Sequence, residues 1–264
     1  RSQVSEMTKG LNEQVREFRT RSLADSRCPV LWTDALYERV RVDGRVVSMA
    51  ILIVCGVNEQ GHREVLAVEP MLEESKESYS QLFENLQQRG LKPPSLVISD
   101  ANRGLIAAIR ESFPGASWQR CKVHFMWNIL AHIPHKDKQA FADEFKQIWL
   151  AQDAEVARQR AAALAEKYQK RFPQAVHTLE DGLEDSLQFF SFPALDSRKI
   201  SSSNMLERLN KEIRRRTRVV GIFPNFESYL RLVTTCLMEY AEDWSVSRAY
   251  LNPTSVQALL QNAA

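Results

Sequence analysis

The chain has 264 residues, 44% of them hydrophobic and 26% charged, which suits one large domain or a domain carrying an insertion. Its net charge of +2 excludes a molecule that binds polyanions through bulk charge. No apolar run approaches the ~20 residues that span a bilayer, no signal peptide is expected, and four scattered cysteines suit a reducing compartment. A cytoplasmic protein with no membrane partner is expected. The chain begins with Arg rather than Met, so a fragment of a longer protein is expected too.

Residues 1–27 predict a polar amphipathic helix, with Val4, Met7, Leu11, Val15 and Phe18 at helical spacing. VLWTDALYERVRV then reads as a strand, and Asp43-Gly44 is a two-residue hairpin signal. VVSMAILIVCGV is a nearly continuous apolar strand, expected to be buried on both faces. A turn at Asn58–Gly61 leads into HREVLAVEP, completing a three-strand antiparallel meander. The period then changes. SYSQLFENLQQRG is a helix ending at Gly90, SLVISD a short buried strand, ANRGLIAAIRESF a helix, and ASWQRC a fifth strand after Pro114-Gly115. The order βββαβαβ predicts an α/β fold of ribonuclease-H-like arrangement, a mixed sheet with helices on both faces. Residues 136–195 read as all helix, broken at Pro173 and Pro193, and are expected to form a helical insertion. FESYLRLVTTCLMEYAEDW is a strongly amphipathic helix, and a frayed tail is expected from Asn252 onward.

The charge is unevenly placed. Between Arg198 and Arg218 lie eight Lys or Arg residues and only two acids, Glu207 and Glu212. A basic stripe is a better footprint of a polyanion partner than net charge. On a helix, Glu207, Asn210 and Arg214 share one face, with Arg208, Lys211 and Arg215 on a neighbouring cationic face. Arg216 and Arg218 extend the set of candidate phosphate contacts. Glu207 could equally be half of an ordinary ion pair with Lys211. Two other acids stand out. Asp34 sits mid-strand, where an acid is disfavoured unless it faces solvent at an edge. Asp100 ends a strand just before a helix, where it could be an N-cap or a ligand group at the carboxyl end of the sheet. In a ribonuclease-H-like sheet the strands carrying Asp34 and Asp100 are neighbours. A divalent cation would relieve their repulsion, and Glu207 from a late helix would complete a two-metal site for phosphoryl transfer. Cys121-x2-His124 and His132-x2-His135 suggest zinc, but a helix would set their centres roughly 16 Å apart, so one four-ligand site is not expected.

Taken together, LWTDALYERVR, LVISDANRGL, WQRCKVHF, SNMLERLNKEIRRRTRVVGIFPN and the late AEDW resemble bacterial mutator-type insertion-sequence transposases, over nearly the whole chain. The resemblance implies an Asp-Asp-Glu enzyme with Asp34, Asp100 and Glu207 as catalytic and metal-binding acids. Two Mg²⁺ (or Mn²⁺) ions would support hydrolysis at element ends and strand transfer of the freed 3′-hydroxyl into target DNA. It implies terminal inverted repeats and target DNA as partners, a dimer or larger assembly on paired ends, and action at the nucleoid. Trp118, Cys121, His124 and Asn128 match its Cys-His motif and are implied to order the active site, with Asn210 beside the Glu. It divides the chain into the end of an N-terminal helical DNA-binding region (1–27), a catalytic domain in two parts (28–135 and 196–264) and the insertion (136–195). Trp127 stands where relatives commonly have Arg. The alternative is a truncated, inactive derivative that binds DNA or a partner; a generic ribonuclease-H-like nuclease ranks below it, since it leaves the basic helix and the insertion unexplained.

Overall fold

The computed structural model describes residues 2–262. Residue 1 of the expected N-terminal segment and the last two residues of the tail lie outside it, as do the side chains of Val4 and Met7. Helix α1 (Ser2–Thr20) precedes strands β1 (Val30–Val42), β2 (Arg45–Val57) and β3 (Arg63–Met71). Then come α2 (Lys76–Gln88), β4 (Leu96–Ser99), α3 (Arg103–Ser112) and β5 (Ser117–Arg120). A helical stretch follows: α4 (Lys122–Leu130), α5 (His135–Trp149), α6 (Ala154–Tyr168) and α7 (Pro173–Ser186). The chain ends in α8 (Ser197–Ile200), α9 (Asn204–Thr217), α10 (Phe226–Val246) and α11 (Pro253–Asn262). None of these helices is long and apolar enough to cross a membrane.

The result is an α/β protein with a five-strand mixed sheet in the order β3-β2-β1-β4-β5. β1, β2 and β3 pair antiparallel, whereas β4 runs parallel to β1 and β5 parallel to β4. Asp43 and Gly44 both take positive φ (47° and 76°), the backbone a tight hairpin needs to match strand twist. β2 shows why an unbroken apolar run forms a strand here. Ile51, Ile53 and Cys55 enter one core while Ala50, Leu52 and Val54 enter the other, so both faces are covered. Helices α2 and α3 cover the second face through Tyr79, Leu82, Phe83, Leu105 and Ile109. Helices α9, α10 and α11 cover the first through Leu206, Ile213, Tyr229, Val233 and Val256.

Local signals set the element ends. Gly90 (φ 99°) closes α2: its N–H donates to Gln87 O at 2.9 Å and that of Leu91 to Leu86 O at 3.0 Å, satisfying the terminal carbonyls. The cap of α3 is Asn102, whose side chain accepts from Leu105 N at 3.1 Å, so the N-cap alternative for Asp100 falls away. The edge alternative for Asp34 falls as well, because β1 is the central strand. Pro173 opens α7 at its first turn, where a missing N–H costs nothing. The expected frayed tail is instead helix α11. The N–H groups of Tyr250 and Leu251 donate to Gly61 O, and Leu251 O approaches so closely that a Cβ at Gly61 would lie 2.2 Å away.

Helices α4 to α7 pack around their own apolar cluster, centred on Phe125, Phe141, Phe145, Leu164 and Leu179. That cluster draws in Phe125, Met126, Ile129 and Ile133, upstream of residue 136. Buried Gln119 on β5 joins it to the sheet, donating to Ser186 O at 2.9 Å and accepting from Phe189 N at 2.7 Å.

Candidate active site

Alternation along β1 places Asp34 on the same face as Trp32 and Leu36, the face that α9 and α10 cover. Three contacts fix α9 and α10 over this strand. Asn210 Nδ2 donates to Asp34 Oδ2 at 2.8 Å, Thr217 Oγ1 to Glu38 Oε1 at 2.6 Å, and Tyr229 OH to Leu36 O at 2.9 Å. Asn210 is buried, and its Oδ1 has no hydrogen-bond partner. Asp100 follows the end of β4, two residues beyond Ile98, just as Asp34 lies two beyond its register partner Trp32. Trp118 on β5 holds this strand end: its indole N–H donates to Ser99 Oγ at 2.8 Å, and the Ser99 hydroxyl donates to Asp100 O at 2.7 Å.

Glu207 lies in the first turn of α9, facing α4. Its Oε1 is 3.9 Å from His124 Nδ1, and it makes no ion pair with Lys211. Glu212, by contrast, pairs with Arg215 at 3.0 Å, so only one of the two acids in the basic segment is an ordinary helix-surface partner. Cys121 caps α4 without a side-chain cap bond. Its Sγ instead receives Ser203 N–H at 3.3 Å and lies 3.1 Å from Ser203 Oγ, which is also 3.3 Å from Glu207 Oε1. Ser203 therefore ties the Cys-His helix to the Glu helix, a role sequence reasoning missed. The signal was present as three serines before an amphipathic helix, but such a run reads equally well as a simple cap.

The electrostatics follow from this crowding. Burial pushes the Asp34 carboxyl up to about 6; the His124 imidazole pulls against it, and the Asp100 and Glu207 carboxylates push with it. Contact with Cys121 holds His124 up at about 9, against burial and with help from Asp34 and Glu207. Burial works to raise the Cys121 thiol, yet His124 and Ser203 outweigh it and the net shift is downward. Cys121 and His124 thus each favour the other's charged form beside the acids.

A cleft of about 680 Å³ opens over this arrangement, with Asp34, His124, Glu207 and Asn210 at its base. Lys211, Arg214, Arg215 and Arg218 line its walls. Asp100 is not part of that lining, although its charge reaches Asp34. Two expected phosphate contacts lie elsewhere. Arg208 lines a second, smaller cleft with Arg63 and Trp244, and Arg216 is held by Glu239 at 2.5 Å and by Cys236 Sγ at 3.4 Å. Asn128 is exposed and has no hydrogen bond to the site among the described residues. His132 and His135 are exposed as well and do not join Cys121 and His124.

The fold is thus an α/β protein whose mixed sheet sets Asp34 beneath a basic helix that itself carries Glu207. The chain belongs to the Mutator family of transposases, whose family model matches residues 1–247. It is 39% identical over 255 residues to the transposase for insertion sequence element IS256 in transposon Tn4001 of Staphylococcus aureus. That match covers 96% of this chain and 65% of the relative. It is 41% identical over 251 residues to the transposase for insertion sequence element ISRM5 of Rhizobium meliloti, covering 95% and 63%. With the transposase for insertion sequence element IS1081 of Mycobacterium tuberculosis it shares 39% identity over 251 residues, covering 95% and 60%. The chain therefore spans less than two thirds of the length of these relatives.

Proposed function

We propose that this chain is the catalytic part of an insertion-sequence transposase, a ribonuclease-H-like domain of the Asp-Asp-Glu type. It would cleave DNA phosphodiesters at element ends and join the freed 3′-hydroxyl to target DNA. The observation that carries this reading is the cleft lined by both Asp34 on β1 and Glu207 on α9, with Asp100 following β4 at the register position beside Asp34. The strand order β3-β2-β1-β4-β5, with β4 parallel to β1, supports the fold assignment. Residues 28–135 and 196–264 would form the catalytic domain, 136–195 a helical insertion, and 1–27 the end of a preceding helical region.

The donor set fits hard divalent cations. Its oxygens are carboxylates, one of them buried against like charges, and the orphaned Asn210 Oδ1 lies beside them. Asp34, Asp100 and Glu207 would hold two Mg²⁺ or Mn²⁺ ions, the chemistry supplied being activation of a water or 3′-hydroxyl and stabilisation of the leaving oxygen. Asn210 orients Asp34, Ser203 orients Glu207, and the Trp118–Ser99 bond fixes the backbone that carries Asp100. Lys211, Arg214, Arg215 and Arg218 would grip phosphates along the cleft without reading bases. Joining two element ends would require a dimer or larger assembly.

The test is strand transfer of a pre-cleaved terminal-repeat oligonucleotide into plasmid with Mg²⁺ or Mn²⁺, using wild type and the Asp34→Ala, Asp100→Ala and Glu207→Ala variants. Joined product from wild type alone is expected. Product surviving Glu207→Ala would remove Glu207 from the chemistry. Wild-type DNA binding with no joining would replace the enzyme reading with that of an inactive derivative.

A further inference from the structure

Cys121, His124 and Glu207 offer ligand atoms that all lie within 4.8 Å of one another, the one such His/Cys/carboxylate group among the described residues. Each comes preset. The Cys121 sulfur is fixed by two contacts from Ser203, the buried Nδ1 of His124 has no hydrogen-bond partner, and Glu207 Oε1 stands 3.9 Å from that nitrogen. Two ligands belong to the start of α4 and the third to the start of α9, so rigid elements carry all three. The His124 and Glu207 side chains remain 27% and 26% exposed, so the group is open to an incoming ion.

The chemistry of this set differs from that of the acid cluster. Thiolate and imidazole suit borderline-soft ions and are poor ligands for Mg²⁺, which keeps oxygen donors and its own waters. Bond lengths of ~2.3 Å to sulfur and ~2.0–2.1 Å to nitrogen put tetrahedral ligand atoms about 3.5 Å apart. Reaching that distance from the present spacing, at most 4.8 Å, requires the Glu207 side chain to move toward the Cys-His pair. Three protein ligands plus one water is the usual form of an open zinc site. Ser203, bonded to both the sulfur and the carboxylate, is the outer group that orients them.

We propose that Cys121, His124 and Glu207 form a Zn²⁺ site that withdraws Glu207 from Asp34 and Asp100 when filled. Zinc is then an antagonist of the hard-cation site, and the cell's free zinc sets how much protein is competent. The antagonism rests on the function proposed above, whereas the zinc site itself does not.

Two titrations of the metal-free full chain separate these claims. In the first, Co²⁺ serves as the spectroscopic probe in a non-thiol reductant. Wild type should bind one equivalent with a thiolate-to-cobalt charge-transfer band, which Zn²⁺ then abolishes. Cys121→Ser should lose the band, Glu207→Gln should keep it with binding weakened at least ~10-fold, and Cys236→Ser should change nothing. Each variant is checked for a wild-type melting profile, and Glu207→Gln carries the test if Cys121→Ser misfolds. No band in wild type, a band retained in Cys121→Ser, or unchanged binding in Glu207→Gln overturns the site. In the second, free Mn²⁺ is followed by electron paramagnetic resonance with and without Zn²⁺. One equivalent of Zn²⁺ should weaken Mn²⁺ binding at least ~10-fold, and Mn²⁺ binding unaffected by Zn²⁺ overturns the antagonism. A cobalt band with no Mn²⁺ binding at all would sink the acid-site reading and leave the zinc site standing. Mn²⁺ binding without a cobalt band does the reverse.

Discussion

Replacing Asp34 by Asn should stabilise the metal-free protein at pH 7.5. The carboxyl is raised from its ordinary 3.8 to about 6, chiefly by burial, with Asp100 and Glu207 adding to the effect. At ~1.4 kcal/mol per pKa unit, its ionisation costs the fold on the order of 3 kcal/mol at neutral pH. The sign follows from the raised value. The folded state holds the extra proton between about pH 4 and 6, so stability falls as pH rises through that window and is level above it. Asn is nearly isosteric. Its oxygen can still accept from Asn210 Nδ2, and Asn210 Oδ1, without a partner, can accept from the new amide. Allowing for relaxation, half to all of that cost returned to the fold raises Tm by roughly 3–10 °C in a chain of this size. The assay is thermal melting at pH 4.5 and 7.5, with chelator or with excess Mn²⁺. The Asp34→Asn variant should melt higher than wild type at pH 7.5 in chelator, with the gap shrinking to roughly a third near pH 4.5. With Mn²⁺ at ~100 times its Kd, wild type should gain about 2.7 kcal/mol and the variant little. A variant that melts below wild type at pH 7.5 in chelator would refute the reasoning, because Asp34 would then not be held against its neighbours.

Other substitutions test the frame around the site. Gly90→Ala forces a side chain onto φ 99° with its Cβ 2.8 Å from Ala24, and should cost about 1–3 kcal/mol in urea denaturation; a loss below ~0.5 kcal/mol would contradict the backbone described. Phe145→Ala empties the centre of the α4–α7 cluster and should cost about 3–5 kcal/mol by the same measurement. Arg214→Ala should lower the slope of log DNA affinity against log salt by about one, whereas Arg216→Ala, already engaged with Glu239, should leave the slope unchanged; equal effects would remove the distinction drawn between them.

The parts of this protein that its sequence discloses are those set by local pattern. The hairpin at Asp43-Gly44, the doubly buried β2 and the glycine stop at Gly90 each follow from a few adjacent residues. What escaped depended on partners far along the chain. Ser203 serves Cys121 from 82 residues away, and Arg216 answers to Glu239 on another helix, 23 residues on. The expectation of a frayed tail fails because the chain before α11 is pinned to Gly61, in a turn far earlier in the chain, and Val256 packs into the core. Asp100 illustrates a competition between two good caps, which Asn102 wins. Of the side chains singled out, Asp34, His124, Glu207 and Asn210 share one cleft and Asp100 does not, and nothing in their spacing showed that Ser203 would contact both Cys121 and Glu207.

The contact between Asn210 and Asp34 joins residues 176 positions apart, with the four helices α4 to α7 lying between them in the chain. A ribosome adding roughly 5–20 residues per second makes Asp100 about 5–20 s, and Asp34 about 9–35 s, before Glu207 exists. Throughout that interval the sheet can pair and the helical cluster can condense, but the acids have no lid and no third member. The cleft is thus completed only once synthesis has passed Arg218. Any arrest of synthesis within the helical stretch would leave one face of the sheet uncovered and no assembled cleft.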